Sequence, residues 1–304
     1  MYDIRRLRML LEIKERGSLA AAARTLHLTP SAISQQMVAL EKEVGVALIR
    51  RVGRSVQLTE AGLIVVDSAK SILREMDAAS TRLANLSGEP SGTLRIAIFQ
   101  SAAIALLADT LLRLQETAPK VYLKVDQIDP ESGLELTRSR QFDMVIAEIY
   151  PGFFAPQFDD LHLLPLIRDP LHLVVAQASP IESLEDAAQA AWVFEGSHNT
   201  SRTWAVNQCR AAGFEPEVHF DIEDLLTHCN LVRGGFAAAL LPSFMTGSLP
   251  QDFGLKLIDL PGRPQREIYT AVRADKASDP AILALRQALS HAAQKLPYTQ
   301  SIRQ

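Results

Sequence analysis

Between residues 65 and 86 the apolar side chains fall at Val65, Ala69, Ile72, Met76, Ala79, Leu83 and Leu86, a spacing of 4-3-4-3-4-3. A repeat of this kind holds one helical seam against a second helix for about three heptads. It constrains the chain strongly, because a helix of roughly 28 residues, here 60–87, is about 42 Å long and divides what lies before it from what lies behind. A long core helix inside one domain would carry the same pattern. The flanks favour dimerisation. Thr59 and Glu60 supply a cap and early acidic charge, and "SGEPSG" (87–92) is rich in turn residues. The expected order is a small module (1–59), a linker and dimerisation helix (60–87), a hinge (88–92) and a larger module (93–304). A length of 304 residues suits about two domains.

The first sixty residues read as three short helices. Leu7, Leu10 and Leu11 form one stripe, ending near Gly17. Ser18 caps a second helix carrying Leu19, Ala22, Ala23 and Leu26, and its run "AAAA" (20–23) lets another helix approach closely. Thr29 caps a third, with Pro30 in the first turn, where a missing N–H costs nothing. There Ile33, Met37, Leu40 and Val44 make a buried face that Gly45 ends. The opposite face shows Ser31, Gln35, Val38 and Lys42, with Ser34 on its shoulder. Short hydrogen-bonding side chains near a recognition helix's start let the backbone enter the major groove, where they reach base edges or phosphates. Gln36 lies nearer the buried stripe and is expected to touch backbone or phosphate.

Next, "ALI" and "SVQL" read as strands joined by "RRVGR", a basic wing that places Arg50, Arg51 and Arg54 near phosphates. Simple three-helix packing would explain the helices alone. The charge distribution weighs against that reading. Overall net charge is −4, yet residues 1–60 hold ten Lys and Arg against six Asp and Glu, +4, leaving −8 on the rest.

The segment "GSLAAAARTLHLTPSAISQQMVALEKEVGVALIRRVGRSVQLTEAG" resembles the N-terminal signature of LysR-type transcriptional regulators. The resemblance implies a winged helix-turn-helix, dimerisation through the following helix, and an effector domain like the periplasmic binding proteins. Family members commonly carry Gln where this chain has Pro30, which shifts readout onto Ser31, Ser34 and Gln35.

From Thr93 onward the pattern alternates. "TLRIAIF", "VYLKVDQI" and "FDMVIAEI" read as strands, and "SAAIALLADTLLRLQETA" and "SGLELTRSRQ" as helices. This predicts mostly parallel sheets with helices on both faces and ligands at strand C-termini. Two strand-to-helix junctions stand out, "FQSAA" (99–103) and "EGSHNTSRTW" (195–204). Each could be an ordinary helix cap. As a pair, their N–H donors favour an anionic group. "VRGGFAAALLP" (232–242) is similar to the LysR effector domain's Gly-rich turn and strand. That similarity implies two subdomains, about 93–165 with 268–304 and about 166–267, with crossings near Leu163–Leu171 and Arg266–Val272. It places Gln100, Ser101, Asp129, Glu148, Ser197, Asn199, Thr200 and Arg202 at the effector cleft.

Composition narrows the alternatives. Hydrophobic residues make up 47% and charged residues 22%, so the chain can bury a core. No apolar run is long enough to span a bilayer, no signal-peptide order is visible, and two cysteines make no disulfide framework, so a cytoplasmic protein is expected. No phosphate-loop, dinucleotide, zinc-protease or nucleophile-elbow motif occurs, so no enzyme, cofactor or metal is expected. Cys209 and Cys229 could form a redox-sensing pair, although both fall in helical segments that suit buried thiols. His219, His228 and Cys229 match no standard metal spacing. A stand-alone solute-binding module would explain 93–304 but needs neither wing nor heptad helix. The expected protein is a sequence-specific regulator binding promoter DNA as a homodimer or homotetramer and answering a small effector.

Overall fold

Local capping chemistry sets the first helices. The Asp3 carboxylate accepts from the Arg5 N–H at 2.8 Å and starts α1 (Ile4–Arg16), which Gly17 ends in the left-handed conformation. Ser18 caps α2 (Leu19–Thr25), and Thr29 caps α3 (Pro30–Val44). The computed structural model describes residues 3–26, 28–52, 55–85, 89–154 and 158–297. The chain forms two units, Met1–Leu83 and Ala84–Gln304.

In the first unit Leu7, Leu10, Ala22, Ile33, Met37 and Leu40 close a common core. The Glu41 carboxylate accepts from the Leu48 and Ile49 N–H groups at 2.8 and 3.1 Å, tying the wing to α3. The wing is an antiparallel hairpin of β1 (Ile49–Val52) and β2 (Ser55–Leu58), with Ile49 opposite Leu58 and Arg50 opposite Gln57. Arg50 and Arg51 therefore lie on a strand, not in the turn read from "RRVGR". The Ile49–Leu58 pairing fixes the register and leaves only two residues between the strands. Arg54 and the side chain of Arg51 lie outside the described residues.

α4 (Glu60–Asn85) starts where the Thr59 hydroxyl donates to the Ala47 carbonyl at 2.7 Å and accepts from the Gly62 N–H at 3.0 Å. A Cβ on Gly62 would stand 2.1 Å from the Leu48 carbonyl oxygen. Gly62→Ala gains about 1 kcal/mol of helix propensity, but the backbone overlap makes the net effect a loss of about 1–3 kcal/mol. Faster hydrogen exchange at the wing amides checks this. The heptad seam is only partly free for a partner. Ala69 and neighbouring Val66 are buried in this unit's own core and Val65 packs against it, whereas Ile72 is 40% and Ile64 is 63% exposed. Leu86 and the side chain of Leu83 lie outside the described residues.

The second unit is built on a curled mixed sheet. Its elements are β3 (Gly92–Ile98), α5 (Gln100–Thr117), β4 (Val121–Gln127), α6 (Pro130–Arg138), β5 (Met144–Ile149) and the long β6 (Leu161–Ala176). They continue with β7 (Ala191–Phe194), α7 (Thr200–Ala211), β8 (Glu217–Asp221), α8 (Leu225–Arg233), β9 (Ala239–Pro242) and α9 (Ser243–Thr246). Last come β10 (Leu255–Asp259), β11 (Gln265–Arg273) and α10 (Pro280–Gln294). The sheet order is β10-β6-β11-β5-β3-β4, with β9 also on β6. Among the described residues, the parallel strand pairs are β3 with β4 and β5 and β7 with β8, and a single parallel bridge joins Trp192 to Ala238. The expected mostly parallel sheet is thus a mixed one. The long strands β6 and β11 return through the unit and pair antiparallel with every strand they touch.

Two core regions result. One packs β3, β4 and β5 against α5, α6 and α10. The other packs β7 and β9 against α7 and α8. β6 feeds both, through Ile167 in the first and Leu171, Leu173 and Val175 in the second. The junctions that begin α5 and α7 face each other across the space between these cores.

Candidate nucleic-acid interface and ligand cleft

On α3, Ser31 and Gln35 are exposed, Ser34 is half-buried, and Val38 is 62% exposed with Lys42 exposed beyond it. The Ser31 hydroxyl lies 3.1 Å from that of Thr29. Gln36 is different. Its side-chain carbonyl accepts from the Arg6 Nε–H at 2.9 Å, and Arg6 also pairs with Glu43. Gln36 therefore helps fix α1 to α3. On the wing Arg50 is exposed and donates to the Gln57 side-chain carbonyl at 3.0 Å, which holds it along the strand.

The second unit holds a cavity of about 160 Å³. Gln100, Ser101, Asp129, Glu148, Asn199 and Thr200, all expected at the cleft, line it. Ser197 and Arg202 do not. Ser197 is exposed, and Arg202 points to Asp221 at 2.7 Å while donating to the Glu195 backbone carbonyl at 3.0 Å. Asp129 also does ordinary work, capping α6 through the Ser132 N–H at 2.8 Å.

At the floor lies a residue that periodicity did not single out as a ligand contact, Arg266 on β11, only 2% exposed. Its Nε donates to Asp169 at 2.9 Å, and one terminal nitrogen reaches Asp169 and Ser101, each at 2.7 Å. The other terminal nitrogen donates to Glu148 and to the Tyr150 hydroxyl, the latter at 3.3 Å. Four of the five N–H groups of the guanidinium thereby make hydrogen bonds, and the second contact to Asp169 is an ion pair. Burial opposes the charge on Arg266, but Glu148, Tyr150 and Asp169 outweigh it and hold it cationic. Glu131 and Ser201, within the stretches 129–132 and 197–203 that the resemblance puts at the cleft, also line the cavity, as do Glu195 and Glu223, which were not singled out. Arg266 sits in the polar start of β11, between Gln265 and Glu267, so nothing local in the sequence marked it as buried.

Two hydrogen-bonded struts cross the cavity's rim. The Gln100 side chain donates to Asp224 at 2.6 Å and accepts from the Leu225 N–H at 2.9 Å. The Thr200 hydroxyl donates to Glu131 at 2.8 Å. Burial pushes Glu148 up to about 7, helped by Glu195, Asp169 and Glu131 and opposed by Arg266. Burial also raises Glu195 and Asp169. Neither α5 nor α7 has a side-chain cap.

A surface helix of short hydrogen-bonders thus lies on one unit and a carboxylate-lined cleft in the other. Residues 4–63 match the family described as bacterial regulatory helix-turn-helix protein, lysR family, and residues 87–294 match the LysR substrate binding domain. The chain belongs to the LysR family. Its curated relatives include the dual regulator OxyR of Escherichia coli K12, 28% identical over 79% of each chain. They also include the probable regulator LrrA of Synechococcus elongatus, 27% identical over 98% of this chain and 99% of that one. Among solved structures, full-length CbnR complexed with its target DNA superposes with a TM-score of 0.73 at 20% identity, covering 96% of this chain and all of that one.

Within this LysR-family regulator the two cysteines are free and buried, Cys209 in one core cluster and Cys229 in another. Burial pushes both thiols up to about 12, which suppresses the reactive thiolate. His228 Nε2 lies 2.6 Å from the Ile222 carbonyl, and His219 pairs with Glu217. Among the described residues no cluster of three or more metal-binding side chains occurs, and no helix is long and apolar enough to cross a membrane.

Proposed function

We propose that this chain is a cytoplasmic, non-enzymatic regulator that reads promoter DNA through Ser31, Ser34 and Gln35 and is switched by a small molecule in the cavity lined by Gln100, Ser101, Glu148, Asn199 and Thr200. The observation that carries the reading is the outward face of α3. Over its first half the exposed positions, Ser31, Gln35 and Val38, are uncharged, Lys42 being the first charge along the face, while Ile33, Met37 and Leu40 on the other side are buried. A face dressed for water would show Lys and Glu. Arg50, Arg51, Arg54 and Lys42 supply the phosphate contacts that give affinity without sequence preference, and Gln36 serves indirectly by holding α3 against α1. The exposed Ile64 and Ile72 of α4 support pairing with a second copy through 60–87, the hinge being 88–92. Two copies place two recognition helices on two half-sites.

Effector binding shifts the equilibrium between two arrangements only by its differential affinity for them. The struts at Gln100 and Thr200 are the contacts such a shift would make or break. A gel-shift titration of the full chain on the DNA upstream of its own gene tests the reading. Changing Ser34→Ala and Gln35→Ala together weakens specific binding by about 30-fold or more, from about 1–3 kcal/mol for each of two base-reading contacts. Binding to competitor DNA stays unchanged. No binding at low salt to that DNA or to neighbouring promoters overturns the assignment.

A further inference from the structure

We propose that the cleft binds a small organic cation, an amine or guanidine, through Glu195, Glu131 and Glu148. This rests on the reading of the cleft as the effector site and names the chemistry of its ligand. The helix N-termini at α5 and α7, taken alone, favour an anion. The side chains reverse the balance. Five carboxylates line the cavity, on Asp129, Glu131, Glu148, Glu195 and Glu223, against one cation, Arg266. That cation is largely taken up. Its nitrogens go to Asp169, Ser101, Glu148 and Tyr150, so an incoming carboxylate or phosphate has to compete with groups already bound to it. Asp169 is fully buried beside Arg266 and already neutralises it.

The deep carboxylates themselves point to a donor ligand. Glu195 is largely enclosed, and only its Oε2 is engaged, by the Ser201 hydroxyl. Glu148 is 14% exposed at the side chain, and only its Oε2 is engaged, by Arg266. Among the described residues neither Oε1 accepts a hydrogen bond, although both residues line the cavity. Both oxygens open onto the cavity, where a guest can reach them. An ammonium brings three donors and no acceptor, and it supplies the charge that these oxygens lack. A metal ion is a poorer fit, since no cluster of three or more metal-binding side chains occurs among the described residues. The cavity's 160 Å³ is close to the size of the apolar cavity that takes up benzene, so the guest is small.

Isothermal titration of the full chain with 1,4-diaminobutane and with agmatine tests this, with butanedioate and magnesium as controls. Saturable binding of at least one amine is expected, weakened ten-fold or more in Glu195→Gln, with no binding of butanedioate. If Glu195→Gln does not fold, Glu131→Gln carries the same expectation through the loss of a cavity charge. Butanedioate or magnesium binding in place of the amines overturns the cation and leaves the effector reading standing. So does amine binding that neither substitution weakens. If no compound binds, the cation proposal falls, while DNA binding, measured separately, decides the regulator reading.

Discussion

Replacing Arg266 with methionine lowers the melting temperature of the C-terminal unit by roughly 10 °C. The substitution keeps an unbranched stem but leaves Asp169, which is fully buried, and Glu148, which is nearly so, without their counter-charge. Removing one member of a buried ion pair costs about 3–5 kcal/mol, because the remaining charge stays desolvated. Each kcal/mol moves the transition of a domain of this size by about 2–4 °C. Ser101 and Tyr150 lose a hydrogen-bond donor in the same step. Arg266→Lys retains the charge but not the planar fork, so it falls between methionine and the native residue. Tryptophan fluorescence is the clean readout. Both tryptophans of the chain, Trp192 and Trp204, are buried in this unit, so the signal does not mix with unfolding of the DNA-binding module. A shift below about 2 °C for Arg266→Met, less than 1 kcal/mol on the same scale, would show that the guanidinium does not hold the cleft floor together.

The same arginine shows where sequence reading stops. The DNA-binding half was legible because its determinants are local. Caps at Ser18 and Thr29, stops at Gly17 and Gly45, and the stripe of Ile33, Met37 and Leu40 all act within one or two helical turns. The wing shifted because the three-residue run Arg50–Val52 has no strong strand signature of its own. Its pairing with Val56 and Gln57 decides the matter. In the heptad seam, Ala69 looks like any other seam position, and only packing beneath the wing reserves it for the module's own core. The cleft was half legible. Helix starts at Gln100 and Thr200 follow from chain pattern, and six expected residues do meet in the cavity. Arg266, by contrast, is defined by partners 97, 118 and 165 positions away, and no periodicity links them. The return along β6 and β11 was expected only from the resemblance, near Leu163–Leu171 and Arg266–Val272, and not from the pattern itself. An alternation of strands and helices looks the same whether a long strand crosses over or returns.

Stability of the C-terminal unit falls as pH rises from 5 to 8, and Glu148→Gln removes much of that fall. Glu148 is held near pH 7, above its ordinary value of 4.5, chiefly by burial. The groups facing it are Arg266 on β11, Asp169 on β6, Tyr150 after β5, Glu195 after β7 and Glu131 on α6, and only Arg266 favours its ionised form. A carboxyl whose folded value lies above the unfolded one keeps its proton longer in the folded state. Its contribution is complete below about 4.5 and is lost as pH climbs through 7. The amount at stake is up to about 3 kcal/mol. Glutamine mimics the protonated carboxyl and still accepts from Arg266, so its stability stays high above pH 7. A residual slope belongs to Glu195, which burial also raises. Denaturant unfolding followed by tryptophan fluorescence at half-unit pH steps checks this, and parallel curves for the two proteins would mean that Glu148 is ionised throughout. The two titrations also bear on the ligand. A cation entering the cavity stabilises the ionised carboxylates, so its binding expels their protons and tightens as pH rises through 7. An anion would tighten as pH falls.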